Sequence, residues 1–189
     1  TSATISTLDS DGHVGIYTSI TIGADGLGLI SYFDDTNDDL KVAHCDNTAC
    51  TSATTSTIDS DGNVGRYTSI TIGADGLGLI SYYDTTNENL EVAHCSNAAC
   101  TSATISTLDL DGDVGRDTSI TIGADGLGLI SYHDWSNTAL KVAHCSDTAC
   151  TSATTTTLDS DGNVGRDTSI TIGADGLGLS ATSTVSTKT

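Results

Sequence analysis

The sequence predicts an all-β chain built from repeated four-stranded units, and three observations support this prediction. The chain has 189 residues and repeats with a period of 50, so that the segment "TSITIGADGLGL" occurs unchanged at 18–29, 68–79, 118–129 and 168–179. Each unit contains four short runs with the alternation or continuity of strands, separated by turn residues. No window carries apolar residues at the 3.6-residue spacing of a helix.

The strands of the unit follow one another in the first copy. Residues 18–23, "TSITIG", alternate apolar and polar side chains, and the Asp-Gly that follows accepts the positive φ of a hairpin turn. Residues 27–34, "LGLISYFD", form a more continuous apolar run, which is expected for a strand buried on both faces. Residues 40–45 alternate again, and residues 50–58 predict a β-branched, polar outer strand.

Four strands in about 40 to 50 residues, repeated along a chain, are typical of β-propeller blades. The predicted domain, residues 1–179, divides into an outer strand, three blades and a half blade, followed by a Thr/Ser-rich tail or completing strand. The outer strand is 1–8, the three blades are 18–58, 68–108 and 118–158, the half blade is 168–179, and the tail is 180–189. Three blades are too few to close a ring. Either the two ends complete a fourth blade within one chain, or the first strand of one molecule completes the half blade of another.

Two segments carry a resemblance to a known type of repeat. The segments "LISYYD" (79–84) and "VAHCSNAAC" (92–100) resemble repeats of secreted bacterial tandem-repeat proteins with a β-propeller-like architecture. The resemblance extends over nearly all of residues 1–179. It implies a propeller-like extracellular protein, and it implies no substrate.

The composition limits the partners. The chain has 25 acidic and 6 basic side chains and a formal net charge of −19, so it repels phosphate backbones and anionic lipid. No run approaches the roughly 20 apolar residues of a membrane span. We therefore expect neither a nucleic-acid partner nor membrane insertion. Because the sequence has no signal peptide and no initiator Met, we expect a mature or excised product, or a piece of a longer array.

Three repeats each carry a C-x4-C pair beside a histidine. A short hairpin brings such a pair within disulfide distance, and so small a loop gives about 2 kcal/mol of stabilisation. A zinc site needs four ligands, whereas each repeat supplies one His and two Cys, and a redox pair has the shorter spacing C-x-x-C. We therefore predict structural disulfides in an extracellular or cell-surface protein. The pairs are Cys45–Cys50, Cys95–Cys100 and Cys145–Cys150.

A D-x-D-G turn recurs once in each repeat and places oxygen ligands at alternate positions, a spacing that Ca²⁺ favours. The turn departs from an EF-hand, since Gly is fourth in the loop and Ile70 is twelfth. An Asx-type turn solvated by water is the competing interpretation. We expect no required cofactor and keep Ca²⁺ as an alternative. The candidate ligands are Asp9, Asp11, Asp59, Asp61, Asn63, Asp109, Asp111, Asp113, Asp159, Asp161 and Asn163.

The sequence contains no unique catalytic constellation, because nearly every Ser, His and Asp recurs in several copies. His133 and Trp135 do not recur and are the candidate ligand-binding residues, since a loop Trp stacks on sugars or anchors a partner; drift is the competing interpretation. We therefore expect a non-enzymatic extracellular structural protein that self-associates through complementary strand ends into a filament, ring or scaffold. The alternative is a lectin-like or adhesive propeller for glycan or surface-protein ligands, with or without calcium.

Overall fold

The structure of the chain, a computed structural model, describes residues 5–183. These residues form fourteen strands and no helix, which confirms the all-β prediction. It follows that this range offers no helix able to span a bilayer. The strands are β1 (Val14–Ile22), β2 (Gly28–Asp34), β3 (Asp39–Cys45), β4 (Ala53–Asp59), β5 (Val64–Ile72), β6 (Gly78–Asp84), β7 (Asn89–Cys95), β8 (Ala103–Asp109), β9 (Val114–Ile122), β10 (Gly128–Asp134), β11 (Ala139–Cys145), β12 (Ala153–Asp159), β13 (Arg166–Ile172) and β14 (Gly178–Ser183).

The strands form three four-stranded sheets and one two-stranded sheet. Each sheet is an antiparallel meander in which sequence neighbours pair, such as β1-β2-β3-β4. We call these sheets blades 1, 2 and 3, and we call the pair β13-β14 the half blade. Short turns join the strands of a blade, and the acidic D-x-D-G turn joins one blade to the next.

Each blade begins four residues earlier than the alternation predicts. The first strand starts at Val14 rather than Thr18, and its pairing with β2 shifts register between Ile16 and Ser19. Tyr17 lies within this irregularity and has a φ of 54°. A bulge with a residue at positive φ breaks the two-residue alternation of a strand. The pattern in the sequence therefore becomes regular only after the bulge.

The structure describes only part of the two predicted ends, the outer strand and the tail. Residues 5–8 are not in a strand, and residues 1–4 lie outside the described residues, so the outer strand 1–8 stays a prediction. The half blade continues to Ser183, which carries it into the predicted tail. Residues 184–189 also lie outside the described residues.

The core lies between neighbouring blades. We call the surface that a blade turns toward the preceding blade its front face, and the surface toward the next blade its back face. One cluster joins the back face of blade 1 to the front face of blade 2, and an equivalent cluster joins blades 2 and 3. The first cluster includes Leu29, Leu40 and Val42 from blade 1, with Val64, Ile70, Ile80, Tyr82 and Ala93 from blade 2.

The first strands of the blades lie side by side around a common axis. Strand β5 packs between β1 and β9, and β9 packs between β5 and β13. An axial cavity of about 190 Å³ is lined by the same two positions of all four repeats, beginning with Tyr17 and Thr18. The first strands form an arc rather than a closed ring within residues 5–183. Strand β13 does not pack against β1 in the way that β1 packs against β5, or β9 against β13.

Candidate functional site: the open blade faces

A leucine from one blade packs over a glycine of the next at every junction within the chain. A Cβ placed on Gly78 would lie 3.0 Å from Leu29 Cδ2. Leu79 stands in the same relation to Gly128, and Leu129 to Gly178. Because the glycine has no side chain, the leucine approaches the neighbouring strand closely. This contact is the apolar centre of each junction.

Hydrogen bonds recur around this apolar centre. At the first junction the backbone N–H of Ile70 donates to Ser19 Oγ at 3.2 Å, and Thr68 Oγ1 donates to Ser31 Oγ at 2.8 Å. The backbone N–H of Val64 donates to the carbonyl of Asp38 at 2.9 Å. The same positions are paired at the other two junctions. These bonds fix the register of one blade on the next, since each buried donor finds one partner.

The front face of blade 1 is open. Ile20 is 62% exposed, whereas its equivalents Ile70, Ile120 and Ile170 are 6–8% exposed. Among residues 5–183, the atoms nearest to a Cβ on Gly28 belong to Cys45 and Ile20 of the same blade, not to a leucine of another blade. A cavity of about 370 Å³ lies on this face, lined by residues that include Val14, Ile30 and Tyr32. The face therefore keeps the side chains that pack at the other junctions without a blade to cover them.

The back face of the half blade is open in the same way. Leu179, the equivalent of the buried leucines of blades 1 and 2, is 57% exposed. Ser169, the equivalent of Ser19, is also exposed. Two positions that alternate with Leu179 differ from the other repeats, because Ala181 stands where Ser31 accepts a hydrogen bond from Thr68 and Ser183 stands where blade 1 has Phe33. The half blade can thus supply the apolar contact and one of the two side-chain hydroxyl acceptors.

The segment that precedes blade 1 already contacts its front face. Asp9 Oδ2 accepts hydrogen bonds from Tyr32 Oη at 2.6 Å and Lys41 Nζ at 2.8 Å. Burial alone would raise the pKa of Asp9, but the bonds from Lys41 and Tyr32 lower it to about 2. Asp109 makes the same pair of bonds with Tyr132 and Lys141 in blade 3. An Asp–Tyr–Lys cluster therefore anchors the outer end of both blades.

The candidate calcium ligands of the acidic turns have protein partners. In each turn the first aspartate accepts a hydrogen bond from the backbone N–H two residues later, as from Asp61 to Asp59 at 3.1 Å, which is the geometry of an Asx turn. Asp113 binds Arg116 at 2.7 Å, and Asn63 Nδ2 donates to Asp38. Within residues 5–183, no three His, Cys, Asp or Glu side chains are grouped to hold a metal ion as they stand. Calcium at these turns stays a prediction.

The six cysteines form disulfides in the three predicted pairs. Each closes a short hairpin, with Cα atoms 4.9–5.0 Å apart. Cys95 and Cys100 are fully buried in the cluster between blades 1 and 2. The bridge thus belongs to the front face of its blade and contributes to the junction as well as to the hairpin.

His133 and Trp135 lie together at the junction between blade 3 and the half blade. The His133 ring is 1% exposed, both of its nitrogens lack a hydrogen-bond partner among residues 5–183, and burial beside Arg166 lowers its pKa. Trp135 is 44% exposed. The guanidinium carbons of Arg116 and Arg166 lie 4.8 and 4.6 Å from the Trp135 ring centroid. The ring therefore already makes two cation–π contacts, and the buried histidine presents no surface to a ligand.

Blade 2 contains a functional candidate that the sequence reasoning missed. Glu91 stands where blades 1 and 3 have Lys41 and Lys141. Its side chain is buried and lines a cavity of about 180 Å³ together with Asp59 and Asp84. The signal was present in the sequence, since a charge reversal at one position of a nearly identical repeat marks an altered environment.

No protein-family model matches the sequence, and no curated protein matches it. Solved structures share its fold. An α-L-arabinofuranosidase from Lactobacillus brevis superposes with a TM-score of 0.52 at 11% identity, over 76% of this chain and 53% of that chain. A GH43 β-1,3-galactosidase gives 0.58 at 10% identity, over 84% and 36%. An intramolecular trans-sialidase from Ruminococcus gnavus gives 0.61 at 14% identity, over 83% and 37%. This chain thus spans about half, or less, of each of these proteins. At such identities the similarity concerns the fold, and it confirms the propeller-like blades.

Proposed function

We propose that the chain is a non-enzymatic, extracellular assembly module in which the front face of blade 1 receives the back face of the half blade of a second copy. The observation that carries this proposal is the series of leucine–glycine contacts. Three such contacts form inside the chain, and one glycine and one leucine, Gly28 and Leu179, are left over. The two open faces are thus chemically matched to each other by the chain's own repeat.

The exposed apolar side chains give the association its driving force. Ile20 and Ile22 on the front face are 62% and 61% exposed, and Leu179 on the back face of the half blade is 57% exposed. Contiguous apolar surface of this kind is typical of an interaction site. Burial of the isoleucine and leucine side chains stabilises the contact by about 25 cal/mol for each Å² removed from water.

Two features keep the contact between copies weaker than a junction inside the chain. Ala181 cannot accept the hydrogen bond that Ser31 accepts, so Thr18 of the receiving copy lacks its partner. A net charge of −19 on each copy also opposes association. We therefore expect reversible assembly that depends on concentration and increases with salt, because salt screens like charges over about 10 Å at 0.1 M.

The proposal involves no catalytic step. The recurring histidines are used in a structural pair, as between His44 Nε2 and Asp25 Oδ2 at 2.8 Å, and the same pair occurs in blades 2 and 3. The recurring serines mediate blade junctions. The three disulfides support an oxidising, extracellular setting.

Directional mixing of two variants tests the proposal. Ile20→Lys places a charge on the front face, and Leu179→Asp places a charge on the back face. Each variant keeps one competent face, so each alone is expected to remain monomeric. An equimolar mixture is expected to give a discrete heterodimer, measured by sedimentation velocity, because the intact half blade of the first meets the intact blade 1 of the second.

Leu110→Ser is the matched control. Leu110 is 72% exposed in a turn away from both faces, and the sister repeats carry Ser at this position. This variant should assemble like the wild type. A wild type that stays monomeric at high concentration and high salt, or a mixture that never dimerises, would contradict head-to-tail assembly.

A lectin-like or adhesive role is the second candidate. The half-exposed Trp135 supports it, as does the carbohydrate chemistry named for the structures that share the fold. The two guanidinium groups on the ring weaken it, since they compete with a sugar for the ring. A glycan array probed with the wild type and with Trp135→Thr, the residue of the equivalent position in blade 2, distinguishes the roles. Binding that is lost in the variant would support the lectin; a blank array would eliminate it.

A further inference from the structure

We infer that His133 makes the junction between blade 3 and the half blade sensitive to pH: the half blade stays packed on blade 3 while the imidazole ring is neutral, and the junction loosens when the ring takes up a proton. Both sides of this junction lie in one chain, so the inference does not rest on the proposed assembly. It gives a role to a residue whose equivalents in blades 1 and 2 are Phe33 and Tyr83.

At the first two junctions an arginine of the next blade lies over the aromatic ring at this position. The guanidinium carbon of Arg66 is 4.9 Å from the Phe33 ring centroid. The guanidinium carbon of Arg116 is 5.0 Å from the Tyr83 ring centroid. This contact is favourable because the face of a neutral ring attracts a cation. Neither ring takes up a proton as the pH falls, so these two junctions keep the contact in acid.

At the third junction the ring is a histidine and the arginine is Arg166. The guanidinium carbon of Arg166 lies 4.6 Å from the Trp135 ring centroid, and the edge-on Trp135 and His133 rings have their centroids 5.8 Å apart. Burial, and then the charge of Arg166, lowers the pKa of His133. A protonated ring here would place a second positive charge beside the guanidinium, which is unfavourable in a buried setting. The junction therefore accepts the neutral ring.

The closed junction offers a protonated ring no hydrogen-bond acceptor. His133 is 1% exposed, and neither ring nitrogen has a hydrogen-bond partner among residues 5–183. A neutral imidazole carries one N–H group, whereas an imidazolium carries two and bears a charge. A buried donor without an acceptor costs free energy, and more so when it is charged. Proton uptake is thus favoured by any opening that brings the ring into water.

The other positive charges around the ring also oppose its protonation. Arg116 on β9 lowers the pKa of His133 together with Arg166 on β13. Arg116 is paired with an aspartate at 2.7 Å, whereas Arg166 has no carboxylate within 4 Å in the part of the chain that the structure describes. Strand β11 contributes Lys141, which lies on the front face of blade 3 and binds Asp109 there.

The surrounding carboxylates do not offset these charges at the ring. Those on β9, β10 and β13, or in the turn before β9, are Asp113, Asp117, Asp134 and Asp167. The charges of Asp134 and Asp113 favour a protonated ring, but burial and Arg166 outweigh them. None of the four accepts a hydrogen bond from His133.

The direction of the pH response follows from the two states of the junction. Opening returns His133 to its ordinary pKa of 6.5, whereas the closed junction holds the pKa lower, so the closed junction binds the proton less tightly. The junction therefore keeps its full stability above about pH 6.5 and loses stability as the pH falls below that value. At about pH 5.5, one unit below the ordinary pKa, opening is favoured by up to about tenfold.

Hydrogen exchange at two junctions of the same molecule tests the inference. The backbone N–H of Ile170 donates to Ser119 Oγ at 3.1 Å across this junction, and that of Ile120 donates to Ser69 Oγ at 3.2 Å across the preceding one. Both amides lie in identical sequence, so their intrinsic exchange rates are equal at every pH. In the wild type at low protein concentration, we expect the ratio of the Ile170 rate to the Ile120 rate to rise about threefold to tenfold between about pH 7.5 and pH 5.5.

Two variants separate His133 from the other histidines. His133→Phe, which installs the residue of blade 1, should keep the ratio constant with pH. His13→Asn is the matched control, because it removes an exposed histidine at the far end of the chain and installs the residue found at 63 and 163. This control should keep the rise of the wild type. A constant ratio in the wild type, an equal rise in His133→Phe, or loss of the rise in His13→Asn would overturn the inference.

Titration of the His133 ring signals by NMR gives an answer that requires no variant to fold. We expect the ring of the wild type to titrate below the ordinary pKa of 6.5, and the Ile170 amide to lose protection over the same pH range. A His133 pKa at or above 6.5 would overturn the inference, because the closed junction would then bind the proton at least as tightly as the open one.

Discussion

Leu79 Cδ2 in blade 2 lies 3.0 Å from the point where a Cβ on Gly128 of blade 3 would stand. The leucine is fully buried by this contact. Leu179 has the same local sequence, "GLGL", yet it is more than half exposed. One residue type at one repeat position therefore has two different surroundings in the same molecule.

Leucine-to-alanine substitutions at Leu79 and Leu179 should lower the free energy of unfolding by different amounts. We expect Leu79→Ala to lower the free energy of unfolding by about 2–5 kcal/mol, because it leaves a cavity at a packed junction. Leu179→Ala should change it by less than about 0.5 kcal/mol in the monomer, since its surroundings are solvent. Urea unfolding at low protein concentration measures both. Equal losses would mean that Leu179 is covered within the chain.

The four identical segments allow a comparison of hydrogen exchange without sequence effects. Residues 18–29, 68–79, 118–129 and 168–179 have the same intrinsic exchange rates because their sequences are the same. Ile70 and Ile120 donate their backbone N–H to a serine of the preceding blade. We expect the Ile20 amide to exchange about tenfold faster than theirs, since that serine is missing for it. Hydrogen exchange followed by NMR measures the rates of the three amides. Equal rates would show that another blade covers blade 1 in solution.

The charge on Glu91 should make the stability of the chain depend on pH. Burial and the neighbouring aspartates raise its pKa above the ordinary value of 4.5, so the folded state binds this proton more tightly than the unfolded state. Stability from this group is therefore gained as the pH falls through the raised pKa and lost above it. Glu91→Gln should be more stable than the wild type at neutral pH.

The difference in stability between Glu91→Gln and the wild type should shrink as the pH approaches 4.5, because the Glu91 carboxyl of the wild type is then neutral as well. Urea titrations at several pH values measure the difference between the two chains. A difference that does not vary with pH would contradict the link between Glu91 and its burial.

Removal of single disulfides should show their second role in packing. Replacing Cys45 and Cys50 by alanine is expected to cost about 2 kcal/mol from lost loop closure. Replacing Cys95 and Cys100 should cost about 1 kcal/mol more, because Cys100 is fully buried at a covered junction whereas its equivalent Cys50 is only partly buried. Denaturant unfolding of the two double variants tests this. Identical losses would confine the bridges to their hairpins.

The sequence predicts where the strands lie, but it does not predict which strand faces are covered by another blade. Alternation in "TSITIG" predicts the inner strand, and the Asp-Gly turn predicts its hairpin, because both depend on local chemistry. The bulge at Tyr17 is not predictable from the sequence, since a non-glycine residue at positive φ leaves no compositional sign. Ile20 and Ile70 have the same neighbours in sequence and different exposure, so no local pattern could distinguish the open face from the covered one.

The candidate sites illustrate the same limit. The spacing of Cys45 and Cys50 was enough to predict a pair, because a short hairpin leaves few alternatives. His133 carried no sign of its burial, since a loop position in sequence became a junction position in the fold. Glu91 was visible as a departure from Lys41 and Lys141, but its meaning depended on the partners of those lysines, which only the structure shows.

The sameness of the junctions has a consequence for the gene. An in-register deletion of 50 residues, such as 50–99, would bring Leu29 opposite Gly128 in the same relation that it now has to Gly78. Unequal recombination between repeats would therefore add or remove a whole blade without creating a mismatched contact. The number of blades is a heritable variable that can change in a single event, while every join in the product keeps its ancestral chemistry.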